Sequence, residues 1–351
     1  MASIRALAKQ SKSFRIVAAY LVLARYSSGI KIGGYEPFTF SGAGMNAVKR
    51  DGCMSDAWTA HSVNYLKENG WLEAPPQEIR DAYPRAANFK VLRGDLDVCI
   101  PHSFVDGLDN KRVDSGIKRI THCITPLRHK KELAADEQDA LKLDALMLML
   151  EMYAATDMVG FGGVSPWVMR RKWETPSKSK AGLGYQWLSE ASVDYTWRAD
   201  SLMAYTAINA GKKETLPNNY KERLWNASDM LKSVGLIYEA VCWFSGDAKT
   251  DRWPEAGDLL CTVRVNDFHA DSRGTRPDPS YQAALNDTVF CFYKQASDGE
   301  PEGIRVVLPT DGGDLVGIYR PRFRARTPDA GAWLEDDEAS CQRYASMIPP
   351  L

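Results

Sequence analysis

Leu66-Lys67-Glu68-Asn69-Gly70-Trp71-Leu72 is echoed further along the chain by Leu231-Lys232-Ser233-Val234-Gly235-Leu236-Ile237. In both places L-K-x-x-G reads as the end of a helix, stopped by a glycine able to take positive φ, with apolar residues then entering a strand. A second pair lies upstream of each: Ile32-Gly33-Gly34-Tyr35-Glu36-Pro37 and Phe161-Gly162-Gly163-Val164-Ser165-Pro166. Each of these follows an apolar helical stretch, 16–24 in one case and 143–150 in the other. Two matches in the same order imply one structural unit present twice.

Around the first copy the pattern fills in. Residues 55–69 read as a helix with Ser55 as its N-cap. Ala57, Ala60, Val63 and Lys67 lie near one face, where small residues permit close helix approach. Residues 44–50 read as a shorter helix, and Asp51-Gly52 as the turn between the two. Downstream, residues 89–93, the turn Gly94-Asp95 and residues 96–100 read as a hairpin. In the second copy residues 218–234 form the helix, with Leu224, Ala227, Leu231 and Val234 on one stripe. Residues 236–244 and 259–265 are its two strands, and 172–213 is inserted material.

Helix, turn, helix, glycine stop and hairpin together resemble the winged-helix superfamily over roughly residues 14–107. The fold implied is α+β: two winged-helix units in tandem with a C-terminal β-rich extension. The expected domains are a basic N-terminal arm (1–13), a first winged helix (14–108) and a basic linker (109–134). A second winged helix follows (135–270, insertion about 172–213), then a C-terminal β-hairpin and helical tail (271–351). Paired winged helices with a basic linker resemble the plasmid replication initiators, whose units bind repeated origin sequences, and equally the tandem-domain transcriptional repressors. The resemblance implies sequence-specific binding of double-stranded DNA without a cofactor, compatible with a homodimer.

Composition sets limits on the rest. Hydrophobic residues at 44% and charged residues at 25% are those of an ordinary globular protein. No apolar run approaches the ~18 residues that span a bilayer, so no membrane partner is expected. Arg25 closes the stretch 16–24 without a clean cleavage site, which argues against a secretory signal and for a cytoplasmic protein. Seven cysteines form no C-x-x-C pair and read as free thiols of a reducing compartment. There is no phosphate-binding G-x-x-x-x-G-K-[ST] and no G-x-S-x-G elbow, and the five histidines are scattered. Neither a metal site nor catalysis is expected.

Net charge is −1, so DNA binding has to come from segregation of charge. Residues 1–35 carry six cations and no acid, and Lys118, Arg119, Arg128, Lys130 and Lys131 fall between the two units. Arg320, Arg322, Arg324 and Arg326 alternate, which in a strand puts them on one face. Acid gathers at 132–144 and 335–338. On the first helix the expected DNA-facing residues are Ser55, Trp58, Thr59, His61 and Ser62; on the second, Asn218, Asn219, Lys221, Arg223, Trp225 and Asn226. Arg93 in the wing turn is placed for a minor groove, and Lys118 and Arg119 for phosphate. The second helix, richer in amide and basic groups, is expected to read sequence, and the first to position or dimerise. The rival reading is a non-catalytic protein-interaction scaffold, favoured by a first helix without arginine.

Overall fold

The computed structural model describes residues 2–27, 29, 31–91, 100–107, 114–123, 133–157, 163–164, 171–174, 186–192, 220–244, 259–264, 292–294, 303–306 and 314–323. The fold is α+β. Two compact units divide it: Met1–Ala154 with Met203–Leu236, and Ala155–Leu202 with Ile237–Leu351. That division crosses the expected boundaries. Both helices assigned to the second winged helix join the first unit, while the strands that follow them belong to the second.

The first unit contains α1 (Ala2–Ser11), α2 (Phe14–Arg25), β1 (Phe40–Ser41), α3 (Met45–Asp51), α4 (Asp56–Glu68), β2 (Leu72–Glu73), α5 (Gln77–Ala82) and β3 (Phe89–Val91). It continues through α6 (His102–Asp106), α7 (Gly116–His122), α8 (Ala135–Ala154) and α9 (Tyr220–Ser233). At its centre is α8, buried without interruption over 143–152. A helix that is apolar all round belongs in an interior, and α1, α2, α7 and α9 all pack on this one. Two acids interrupt its apolar surface. Glu151 takes a bidentate pair from Arg5 of α1, and Asp144 takes another from Arg223 of α9.

These contacts revise two expected segments. Residues 1–13 are not a basic arm: α1 buries Leu7 and Ala8, and its Arg5 is held by Glu151. Nor is 109–134 simply a linker, because α7 buries Ile117 and Ile120 in the first unit.

The repeated L-K-x-x-G forms the same helix stop twice. Trp71 N–H donates to Leu66 O (2.8 Å) and Gly70 N–H to Lys67 O (3.2 Å); Leu236 donates to Leu231 O (2.9 Å) and Gly235 to Lys232 O (2.9 Å). This is the Schellman pattern, and both glycines have positive φ, +74° and +67°. Leu66 and Leu231 are fully buried, so each stop is anchored in the core. The upstream echo differs in structure. Gly33-Gly34 is a tight turn closed by Tyr35 N–H on Ile32 O (3.0 Å). Gly163 instead begins the strand Gly163–Val164, where a Cβ would meet Tyr319 O at 2.7 Å.

Between α3 and α4 the turn works by an unexpected division of labour. Cys53 takes the positive φ (+52°), while Gly52 is needed for space: a Cβ there would lie 2.6 Å from Val48 O. Gly52→Ala is therefore expected to destabilise the unit by about 1–3 kcal/mol, the usual cost of overpacking. Urea unfolding would check it, and an unchanged midpoint would refute it. β1, β3 and β2 form an antiparallel sheet in that order, with Phe40 opposite Lys90 and Leu72 opposite Val91. β3 thus pairs with β2 and β1, and α5 lies in the β2–β3 connection. The expected turn at Gly94-Asp95 lies outside the described residues.

The second unit contains β4 (Thr156–Asp157), β5 (Gly163–Val164), β6 (Arg171–Glu174), β7 (Gln186–Ser192), β8 (Ile237–Phe244), β9 (Leu259–Arg264), β10 (Phe292–Lys294), β11 (Gly303–Val306) and β12 (Asp314–Pro321). Seven of these form one antiparallel sheet, in the order β10-β11-β7-β6-β12-β8-β9. β8 and β9 pair as the sequence suggests, Val241 opposite Val263. But β12 covers the other edge of β8 along its full length, so the pair is part of a wide sheet and not a two-stranded wing. Strands of the presumed insertion (β6, β7) and of the presumed extension (β10–β12) build that same sheet. Arg320 is fully buried and Arg322 exposed, so the two do not share a solvent face; Arg324 and Arg326 lie outside the described residues. Among the described residues no helix is long and apolar enough to cross a membrane.

Candidate nucleic-acid interface

The helix α4 begins on Ser55, whose Oγ accepts from Trp58 N–H (3.3 Å), and ends at the Gly70 stop. Its buried stripe is Thr59, Ser62, Val63 and Leu66. The expected open face is therefore rotated. Thr59 and Ser62 turn inward, Thr59 Oγ1 donating to Ser55 O (2.9 Å) and Ser62 lying against Met54 Sδ. Ala57, Trp58, His61 and Asn64 face solvent instead.

Trp58, 39% exposed, is fixed in place from two sides. The Arg15 guanidinium of α2 lies 4.2 Å from its ring centroid and is also 3.7 Å from Asp139 of α8. His61, one turn along, meets the same ring edge-on at 5.3 Å. The result is an ordered aromatic and cationic surface, able to stack on a base or sugar or to enter an apolar socket. Asn64 was missed from sequence, although its i+3 spacing from His61 would find it once the buried stripe is phased correctly.

Much of the surrounding positive charge is already engaged. Lys49 pairs with Asp56 (2.8 Å). Arg50 binds Asp51 and donates to the Tyr26 hydroxyl (2.9 Å), which itself donates to Asp51 (2.8 Å). The hydrogen bond to Asp51 raises the Arg50 guanidinium pKa, and burial pushes the Tyr26 phenol up. Arg25 pairs with Asp106 at 2.7 Å.

The remaining sequence-derived positions divide sharply. Lys118 forms an ion pair with Asp114, four residues back, and its backbone N–H caps on Ser115 Oγ. Arg119 donates to Val234 O (2.9 Å), tying α7 to the end of α9. Arg223 is bound to buried Asp144 and holds α9 on α8. Asn226 is half-buried on α9. Lys221 and Trp225 lie in the same helix, but their side chains are outside the described residues, as are Asn218, Asn219, Arg93, Arg128, Lys130 and Lys131. Thus Trp58 and His61 come together with Arg15, and Arg119 and Arg223 serve internal contacts. Among the described residues no cluster of three His, Cys, Asp or Glu side chains could hold a metal ion.

No protein-family model matches the chain, and no curated protein or solved structure matches it either.

Proposed function

We propose that the chain binds double-stranded DNA sequence-specifically through the first unit, presenting α4 as the reading helix of a winged-helix arrangement. The observation that carries this reading is the order α2, β1, α3, α4, β2, β3 with the three strands joined as β1-β3-β2. The short turn from α3 into α4 leaves one face of α4 open, and that face is the usual route into a major groove. Trp58, His61 and Asn64 are its contacts, with Ser55 at the amino end. A role in plasmid replication initiation or in transcription regulation follows from the same reading.

Titration of the full chain with duplexes from around its native gene, at stepped salt, tests the proposal. Phosphate contacts make log affinity fall linearly with log salt, and a flat response would refute DNA binding. Trp58→Ala is expected to weaken cognate duplex binding about tenfold. Its thermal stability should fall only modestly, because an exposed cation–π contact contributes about 0.5–1 kcal/mol and an edge-on ring pair about 0.5–1.5 kcal/mol.

One observation favours a second reading, a protein-docking or dimerising surface: Trp58 is an exposed, immobilised aromatic on a helix face without arginine. Such anchors are typical of interface centres. On that reading Trp58→Ala changes the mass in sedimentation, and duplex binding is absent at every salt concentration.

A further inference from the structure

Beyond α4's carboxyl end, the first unit holds a pocket of about 480 Å³, half open to solvent, between α4, β2, α5 and β3. Small-ligand sites commonly have this size. Its lining is chemically lopsided. Leu72, Pro75 and Ala87, all buried, give an apolar floor, and Phe89 adds a half-buried ring. Two cations, Lys67 and Arg80, line it as well, and among the described residues no carboxylate does. Of the acids close in sequence, Glu73 pairs with Lys90 (2.8 Å) and Asp81 accepts from Gln77 (2.8 Å), while Glu68 and Glu78 are exposed and are not part of the described lining. Lys67 Nζ lies 5.4 Å from the Phe89 centroid, and among the described residues Arg80 makes only a long contact to Pro75 O (3.5 Å). Asn88, whose amide N–H donates to Gly42 O (2.6 Å), completes the rim.

We infer that this pocket binds a nucleoside monophosphate, free or at the end of a strand, with the phosphate on Lys67 and Arg80 and the base on Phe89 and the apolar floor. Two cations with no carboxylate beside them in the described lining suit a dianion, and Arg and Lys donors make strong charge-assisted bonds to phosphate oxygens. Inorganic phosphate would leave the apolar floor and ring unused. A neutral heterocycle would leave the charge of both cations, which are exposed, to water alone. A ligand with both parts satisfies the whole lining, and base-on-aromatic stacking adds sequence-tolerant affinity. This site is separate from the open face of α4 and does not depend on duplex binding.

The test uses the full chain without duplex, titrated calorimetrically with adenosine monophosphate, adenosine, inorganic phosphate and a 5′-phosphorylated trinucleotide. The monophosphate is expected to bind at least tenfold more tightly than adenosine or phosphate. Lys67→Gln and Arg80→Gln should each weaken it about tenfold. Phe89→Leu should weaken it while leaving phosphate binding unchanged. Equal affinity for the trinucleotide assigns the site to free nucleotides, and tighter binding of the trinucleotide assigns it to strand ends; either result supports the inference. Absence of monophosphate binding, phosphate binding equal to it, or folded Lys67 and Arg80 variants with unchanged affinity would overturn it. Circular dichroism melts establish folding, and duplex titration of the same variants keeps this result apart from the fate of the α4 reading.

Discussion

Arg223→Ala is expected to lower the stability of the first unit by about 2–3 kcal/mol, without acting as the loss of a base contact. Arg223 holds both oxygens of Asp144, at 2.6 and 2.8 Å, and the Asp144 side chain is 4% exposed. Removing one partner of such a pair strands the other charge in a poor solvent, usually at 3–5 kcal/mol; the third of Arg223 that stays in water lowers the figure here. The double substitution Asp144→Leu with Arg223→Met should regain most of the loss, since an apolar pair of similar volume is often no less stable. Urea unfolding of the parent, the single variant and the double variant decides the matter. A single variant that unfolds with the parent would show that α9 is held by its apolar stripe alone.

For Arg5→Ala the expected loss is about 3 kcal/mol at neutral pH, and here it depends on pH. Burial pushes the Glu151 carboxyl above its ordinary range, and the Arg5 guanidinium pulls it partly back. A carboxyl whose folded pKa is raised contributes most below its unfolded value, near 4, and that contribution is lost as pH rises through the folded value. Without Arg5 the folded value climbs further, because only the burial effect is left. The deficit of Arg5→Ala relative to the parent should therefore be largest at pH 7–8 and shrink as pH falls toward 4. Glu151→Gln should show no such narrowing. Thermal melts of the three proteins between pH 4 and 8 check this, and a deficit independent of pH would rule the account out.

What could be read from the sequence were the local rules that have few solutions. Gly70 and Gly235 mark their stops because a Schellman turn needs positive φ, and Ser55 marks a helix start because its hydroxyl can replace a missing backbone partner. The open face of α4 was harder to read. Thr59 and Ser62 look polar, yet Thr59 spends its hydroxyl on Ser55 O and Ser62 meets Met54, so both can be buried cheaply. Ala57, which looks interior, is exposed. Charge misled for a different reason. Arg5 and Arg223 have partners 146 and 79 residues away, and no local pattern announces such a pairing. The same is true of β12 on the edge of β8: each strand is legible alone, but nothing within either one names its neighbour.

The central position of α8 also sets the order in which the chain can fold. When Ala154 has been synthesised, α1, α2 and α7 are already available to cover this helix, but α9 begins only at Tyr220. At 5–20 residues per second, translation of the intervening stretch takes roughly 3–13 s. For that interval the side of α8 destined for Leu224, Ala227 and Leu231 is an apolar stripe without its cover, and Asp144 waits for its cation. Collapse of helices takes microseconds, so the delay belongs to the ribosome and not to the chain. The nascent first unit thus carries an uncovered apolar helix face until the second Leu-Lys-x-x-Gly stop has emerged.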